Sequence, residues 1–377
     1  MGNHALIALA LLAALWVAVY AALRGKTSGR VRVYPLAVIA RLGWAQKPLP
    51  PGRLRTALSL AGWLGIPVTL GLMAFFYLFA YRSLAARFGG EGSEGAGGGV
   101  VPLIPGVTIP LEDLAYVAIA LGVGVALHEA AHAVMARVEG VRVKDFGVAL
   151  FLFVPAAFVE IEEEDLLKAP LGSRLKIYSA GIMVNVAIAL LALAAFQALG
   201  PALYQGVSVL SVEDGSPAEA AGLEPGMVIV EVNGVRVRTV GELSRALEDA
   251  GVKDPGREAR VLVKVLTPAG DYRVLEVIKP EGRSTIGVVV ASKPSTPLTP
   301  LLQALFVLNL GVAAINAAPI MLPLPGTPVM SDGGHMLVAT LEKLLGVPGR
   351  MLGAAAGVAT LLLVLSMLTF TEIAFTP

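Results

Sequence analysis

His128-Glu129-Ala130-Ala131-His132 places two imidazoles and a carboxylate inside an apolar run covering about residues 111–138. On a helix, positions i and i+4 share a face, so His128 and His132 can reach one metal ion while Glu129 is directed at water in an open coordination position. The chain has four histidines in 377 residues. A chance H-E-x-x-H in such a composition is expected on the order of 0.002 times. The implied chemistry is zinc-assisted attack of water on a carbonyl. Two histidines leave a tetrahedral zinc one protein ligand short, and the absence of cysteine restricts the missing donor to histidine or carboxylate. Asp332 is the first candidate. It begins Asp332-Gly333-Gly334-His335, ahead of an apolar stretch and after a segment broken by Pro319, Pro323, Pro325, Gly326 and Pro328. The same aspartate also fits an N-cap for a helix starting near Gly333, and His335 is a second choice as ligand.

These residues must be held at membrane depth. The hydrophobic fraction is 56%, charged residues are 15% and the mean hydropathy is +0.75, far from the balance of a soluble domain. Five stretches are long enough to cross a bilayer, at about 5–23, 56–82, 113–137, 175–199 and 351–373, and a less clean sixth covers 299–321. A net charge of +1 and the lack of a basic stripe give no support to nucleic-acid binding. The first stretch is followed by Arg24, Lys26, Arg30, Arg32, Arg41, Lys47, Arg53 and Arg55, which orients it with the N-terminus outside. Alternating the spans from there puts Lys168, Arg174 and Lys176 on the cytoplasmic side. His128 then lies nine residues before Arg137, roughly 14 Å below the cytoplasmic helix end at about 1.5 Å per residue. Phe146 to Val159 is apolar, too short to cross and interrupted by Pro155. It runs into Glu160-Ile161-Glu162-Glu163-Glu164-Asp165, a pattern that predicts a re-entrant hairpin against a water-filled cavity.

Gly206 to about Pro294 reads as soluble. Strands are predicted at 207–212, 228–232, 260–265, 272–278 and 286–290, with an amphipathic helix at 240–250. Gly215-Ser216-Pro217-Ala218-Glu219-Ala220-Ala221-Gly222-Leu223, then Pro225-Gly226-Met227-Val228-Ile229 and Val232-Asn233-Gly234, resemble the PDZ fold of bacterial-type proteases. Such domains bind extended segments or free C-termini by strand addition, or gate access sterically. Gly89 to Gly99 reads as a flexible loop.

From about Val117 onward the chain resembles the site-2 protease family of intramembrane zinc metalloproteases, M50 type. Four features carry the resemblance: HEAAH on one helix; Phe153-Val154-Pro155-Ala156-Ala157-Phe158-Val159-Glu160 in the next hairpin; Ser179-Ala180-Gly181-Ile182-Met183-Val184-Asn185 on the next helix; and Asn309, Asn316-Ala317-Ala318-Pro319 and Asp332-Gly333-Gly334 after the PDZ-like insert. Two features depart from the family pattern. Sixteen positions separate Asn316 from Asp332, with Ser331 before the aspartate, and Gly181-Ile182 stands where Gly-Pro is commoner.

The resemblance implies Zn2+ held by His128, His132 and Asp332, with Glu129 as general base and substrate contacts from Asn316 and Asn185. It implies membrane-anchored protein substrates, cleaved within a prokaryotic cell membrane with the site toward the cytoplasm and the PDZ-like domain outside it. The expected fold is a polytopic α-helical membrane protein of about six transmembrane helices with a re-entrant hairpin and an inserted α+β PDZ-like domain. Its expected parts are an N-terminal accessory region (1–110), a first core part (111–203), the PDZ-like domain (204–294) and a second core part with the last span (295–377). A non-catalytic PDZ-bearing receptor whose metal motif is structural or empty, and an ion- or proton-coupled transporter, are the competing readings.

Overall fold

Seven helices of ten or more residues occur among the described residues, five of them long apolar runs and α4 and α6 amphipathic: α1 Arg53–Phe88, α2 Leu114–Val138, α3 Leu171–Leu199, α4 Val240–Asp249, α5 Leu298–Ala317, α6 Asp332–Leu345 and α7 Val347–Ser366. The computed structural model describes residues 14, 16–22, 30–34, 37–43, 47–88, 98–151, 154–324, 328–371 and 373–375. Among these residues five helices are long and apolar enough to cross a membrane, namely all but α4 and α6. The predicted 5–23 span lies largely outside the described residues, as does most of the glycine-rich loop. The less clean stretch at 299–321 forms α5, which stops at Ala317 because Pro319 disfavours helical backbone just before it. The last helix starts earlier than predicted, with a proline in its first turn, and ends at Ser366. Beyond it, Thr369 N–H donates to Val100 C=O at 2.9 Å, so 367–369 is pinned to residue 100 instead of continuing the helix.

Chain contacts divide the molecule into two units, 1–192 with 304–374, and 193–303 with 375–377. In the first unit a four-stranded antiparallel sheet runs in the order β1 (Val31–Tyr34), β2 (Ala37–Arg41), β3 (Val143–Phe151), β4 (Val154–Ile161). The predicted hairpin is therefore half of a larger sheet, and Arg32 and Arg41 lie in strands where a basic juxtamembrane cluster was expected. Pro155 does not break the hairpin. It sits within the edge strand β4, where a sheet accepts a residue without an N–H. The acidic run is largely neutralised: Arg41 pairs with Glu160 at 3.3 Å, Lys144 with Glu162 at 3.1 Å and Arg142 with Asp165 at 2.6 Å.

A buried ion pair ties the helices that frame the histidines. Lys176 Nζ of α3 lies 2.6 Å from Glu139 Oε1, directly after α2, with both side chains under a tenth exposed. Ser59 of α1 donates to Glu139 at 2.7 Å and Ser173 at 2.6 Å, while Lys176 also donates to Ser59 and lies over the Trp63 ring. Burial raises the Glu139 pKa, but hydrogen bonds from Lys176, Ser173 and Ser59 outweigh it and hold the carboxyl below its ordinary value. A depressed carboxylate pKa stabilises the fold at neutral pH, and that contribution is lost as pH falls through the lowered value.

The second unit carries a sheet ordered β10 (Val288–Pro294), β5 (Tyr204–Val212), β6 (Val228–Val232), β8 (Ala259–Leu266), β9 (Tyr272–Lys279), with β7 (Val235–Arg236) beside β6. Its strands match the predicted ones within a few residues. Val207, Val209, Ile229, Val261, Val263 and Val277 form the core under α4. Ser216 caps the short helix 217–220, its Oγ accepting from Glu219 N–H at 3.2 Å, and Glu219 Oε2 reaches back to the Gly215 N–H, one residue before the cap, at 2.6 Å. Asn233 and Gly234 have φ of 47° and 82°, the pair of positive angles that a tight β6–β7 turn demands.

Lys279 is fully buried, and its ammonium donates to Asp254 C=O at 2.5 Å, Arg257 C=O at 2.6 Å and Arg283 C=O at 2.9 Å, binding two loops to the end of β9. Lys279→Met is expected to destabilise this unit by about 2–4 kcal/mol, since three carbonyls lose a charged donor. Limited proteolysis of the full chain should show the new cuts at 254–257 and 281–283.

Candidate metal centre

The sequence brings the histidines to one face of α2, and α3 fixes how they present their nitrogens. His132 Nδ1 donates to Ile177 C=O at 2.7 Å and His128 Nδ1 faces Asn185 Oδ1 at 3.0 Å. These partners assign the proton of each ring to Nδ1 and leave both Nε2 atoms as lone-pair donors. The two Nε2 atoms are 3.1 Å apart. Asp332 closes the cluster, with Oδ2 3.1 Å from His128 Nε2 and Oδ1 3.3 Å from His132 Nε2. Two imidazole lone pairs and a carboxylate facing one another repel unless a cation lies between them. The separations also suit zinc: tetrahedral bonds of about 2.0–2.1 Å set ligand atoms roughly 3.3 Å apart. Asp332 Oδ2 has no hydrogen-bond partner among the described residues although it is buried, so the donor set fits a zinc ion.

The path that delivers Asp332 explains the long separation from Asn316. After α5, β11 (Met321–Leu322) pairs with β12 (Val329–Met330), so the extension is an excursion that closes on itself. Ser331 N–H then donates to Ile320 C=O at 3.0 Å, and Ser331 Oγ donates to Ala318 C=O at 2.6 Å. Ser331 is also the N-cap of α6, its Oγ accepting from Gly334 N–H at 3.1 Å. The alternative role for Asp332 as the cap is thereby taken by its neighbour, and its carboxylate is available to the cluster.

Glu129 lies next to the cluster, with Oε2 accepting from Val159 N–H of β4 at 2.9 Å. Asn185, expected to touch substrate, is fully buried and faces His128 instead. Asn316 makes no hydrogen bond to the cluster among the described residues. Its Nδ2 donates to Val312 C=O at 3.1 Å, and it lines an apolar cavity of about 440 Å³ with Phe75, Phe76, Leu121 and Val307. His335 is outside the converging group and stacks on Tyr178 with ring centres 5.1 Å apart.

Sequence reasoning missed Gly181 as a contact of the site. A Cβ there would lie 2.5 Å from His128 Nε2 and 2.6 Å from two ring carbons. Gly181 and Asn185 are four apart on α3, so one helix face both admits the His128 ring and orients it. That i, i+4 spacing was the available signal. Gly181→Ala is expected to push His128 aside and weaken zinc binding by at least about 10–100-fold, the range for lost outer-shell support. Titration with a competing chelator measures it.

Residues 116–367 match the model of peptidase family M50. A protein of Methanocaldococcus jannaschii described as uncharacterized is 27% identical over 307 residues, which is 77% of this chain and 76% of that one. A membrane-bound transcription factor site-2 protease homolog of Arabidopsis thaliana is 31% identical over 185 residues, 47% of this chain and 34% of the relative. A Nostoc protein with a provisional zinc metalloprotease name is 28% identical over 202 residues, 45% of this chain and 54% of the relative. The alignments thus span about a third and about half of these two relatives' lengths.

Proposed function

We propose, from the premise that this chain belongs to peptidase family M50 and so is a membrane zinc metalloprotease, that it cleaves the membrane-embedded segments of anchored proteins. His128, His132 and Asp332 hold zinc, and Glu129 is the general base. The convergence of His128 Nε2, His132 Nε2 and Asp332 on one point beside Glu129 carries this reading. Bound zinc supplies a Lewis acid and lowers the pKa of its water. Glu129 takes the proton as water attacks the peptide carbonyl, then gives it to the leaving amine.

A helical substrate hides its carbonyls in the i to i−4 ladder and must be extended locally before attack. The edge strand β4, running beside α2, is the element able to hold such a segment by strand addition. The α+β unit reads as a PDZ-like domain with its own edge strand, β10. A groove of about 190 Å³ beside it is lined by Val240, Leu243, Leu247, Ile286, Val288 and Val290, suited to an extended apolar segment. By the distribution of basic residues, the metal centre lies toward the cytoplasm and the PDZ-like domain outside it. The purified chain is expected to carry about one zinc and to cleave a reconstituted single-span substrate in a chelator-sensitive way. Zinc-free protein with no cleavage would favour a peptide-binding receptor.

A further inference from the structure

The resting position of Glu129 is tied to the strand that would receive substrate. Leu42 N–H, just after β2, donates to Phe146 C=O at 2.9 Å, and Phe146 N–H donates to Asp145 Oδ1, which also accepts from Gly43 N–H, so Phe146 of β3 turns its backbone groups to the β2 side. Phe146 stands opposite Val159 of β4. In an antiparallel pair, opposite residues either exchange both hydrogen bonds or both face away from each other. Val159 therefore points its N–H and C=O out of the sheet at the edge of β4, and it is this N–H that Glu129 Oε2 accepts at 2.9 Å. The period of two puts Ala157 and Pro155 on the same outward side. Pro155 agrees with that assignment, because a residue without an N–H is tolerated where the missing donor faces outward.

We propose that the Val159 N–H is a donor shared between base and substrate: it parks Glu129 in the resting enzyme and passes to a substrate carbonyl when an extended segment adds to β4. One N–H makes one strong hydrogen bond, so pairing at Val159 and parking of Glu129 exclude each other. Strand addition then frees the carboxylate beside the metal-binding atoms, and the base becomes available when an unwound segment is in register. A helical span diffusing past, or a peptide too short to reach position 159, leaves Glu129 parked. Val159 acts through Glu129 and is a positioning residue. The inference rests on the reading of β4 as the substrate edge, and the two are tested separately.

Val159→Pro removes the donor at an outward position, as Pro155 already does two residues earlier. For a short peptide that cannot pair along β4, kcat is expected to rise about tenfold or more, as befits loss of a charge-assisted hydrogen bond to the parked carboxylate. For a long extended peptide, KM should rise and kcat should not. A fall or no change in kcat for the short peptide overturns the shared donor, since Val159 would then hold Glu129 in its working position or not at all. A readout independent of turnover uses metal-free protein. Amide exchange at Val159 is expected to be slow in the wild type, faster in Glu129→Ala and slow again in Glu129→Ala with a saturating non-cleavable extended peptide. Unchanged exchange in Glu129→Ala overturns the proposal even if the proline variant does not fold. Ala157→Pro tests the premise alone: a raised KM for the long peptide supports strand addition, and an unchanged KM sinks it. A raised KM in Ala157→Pro without the kcat gain in Val159→Pro removes only the shared donor.

Discussion

Glu129→Gln is expected to lower cleavage of a single-span substrate by about 10²–10⁴-fold, the contribution of a positioned general base, while about one zinc per chain is retained. The side chains are nearly isosteric, and the amide oxygen can still accept from Val159 N–H, which the carboxylate accepts at 2.9 Å. The histidines and Asp332 are untouched, and so are their partners Ile177, Asn185 and the cap at Ser331. What is lost is the ability to take a proton from water and return it to the amine. Parallel assays of turnover and metal content in detergent separate this from a folding defect. Turnover within tenfold of the wild type at full zinc occupancy would remove Glu129 from the base role.

The contrast between Glu129 and its surroundings indicates what a sequence discloses. HEAAH is local, and helical periodicity alone puts His128 and His132 on one face, so this half of the site was legible. Asp332 was reachable as an aspartate beside broken, apolar chain. The device that brings it back, a β11–β12 excursion closed by Ser331 onto Ala318 and Ile320, depends on hydrogen bonds between residues eleven and thirteen apart. No periodic pattern encodes such a closure. In the α+β unit the strand Ala259–Leu266 was legible because it alternates buried and less buried residues, and its neighbours because short β-branched runs are set off by glycine and proline. The pairing of β2 with β3 was not, since a segment with Arg32 and Arg41 has the composition of a juxtamembrane linker, and the β3 partners of β2 lie more than a hundred residues away. Asn185 shows the remaining limit. An asparagine on an apolar helix signals a polar partner in the membrane, yet whether that partner is substrate or His128 is decided by the packing of α3 on α2.

That packing gives the second large effect its sharpness. Asp332→Ala is expected to lower zinc affinity by more than about 100-fold, because loss of outer-shell support alone reaches 10–100-fold and this change deletes a donor that meets both Nε2 atoms. The helix should survive the change. Ser331 supplies the N-cap of α6, and its contacts to Ala318, Ile320 and Gly334 do not involve the aspartate side chain. With the carboxylate gone, His128 and His132 still face one another across 3.1 Å, two donors where three are needed for a catalytic zinc with one open position. Stability reports the same loss. A ligand that binds only the folded state adds about 2.7 kcal/mol at a hundred times its Kd. A chelator should therefore lower the melting temperature of the wild type and leave Asp332→Ala unmoved. Zinc retained at full occupancy in Asp332→Ala would place the third ligand elsewhere, with His335, one helical turn along α6 and stacked on Tyr178, as the residue to replace next.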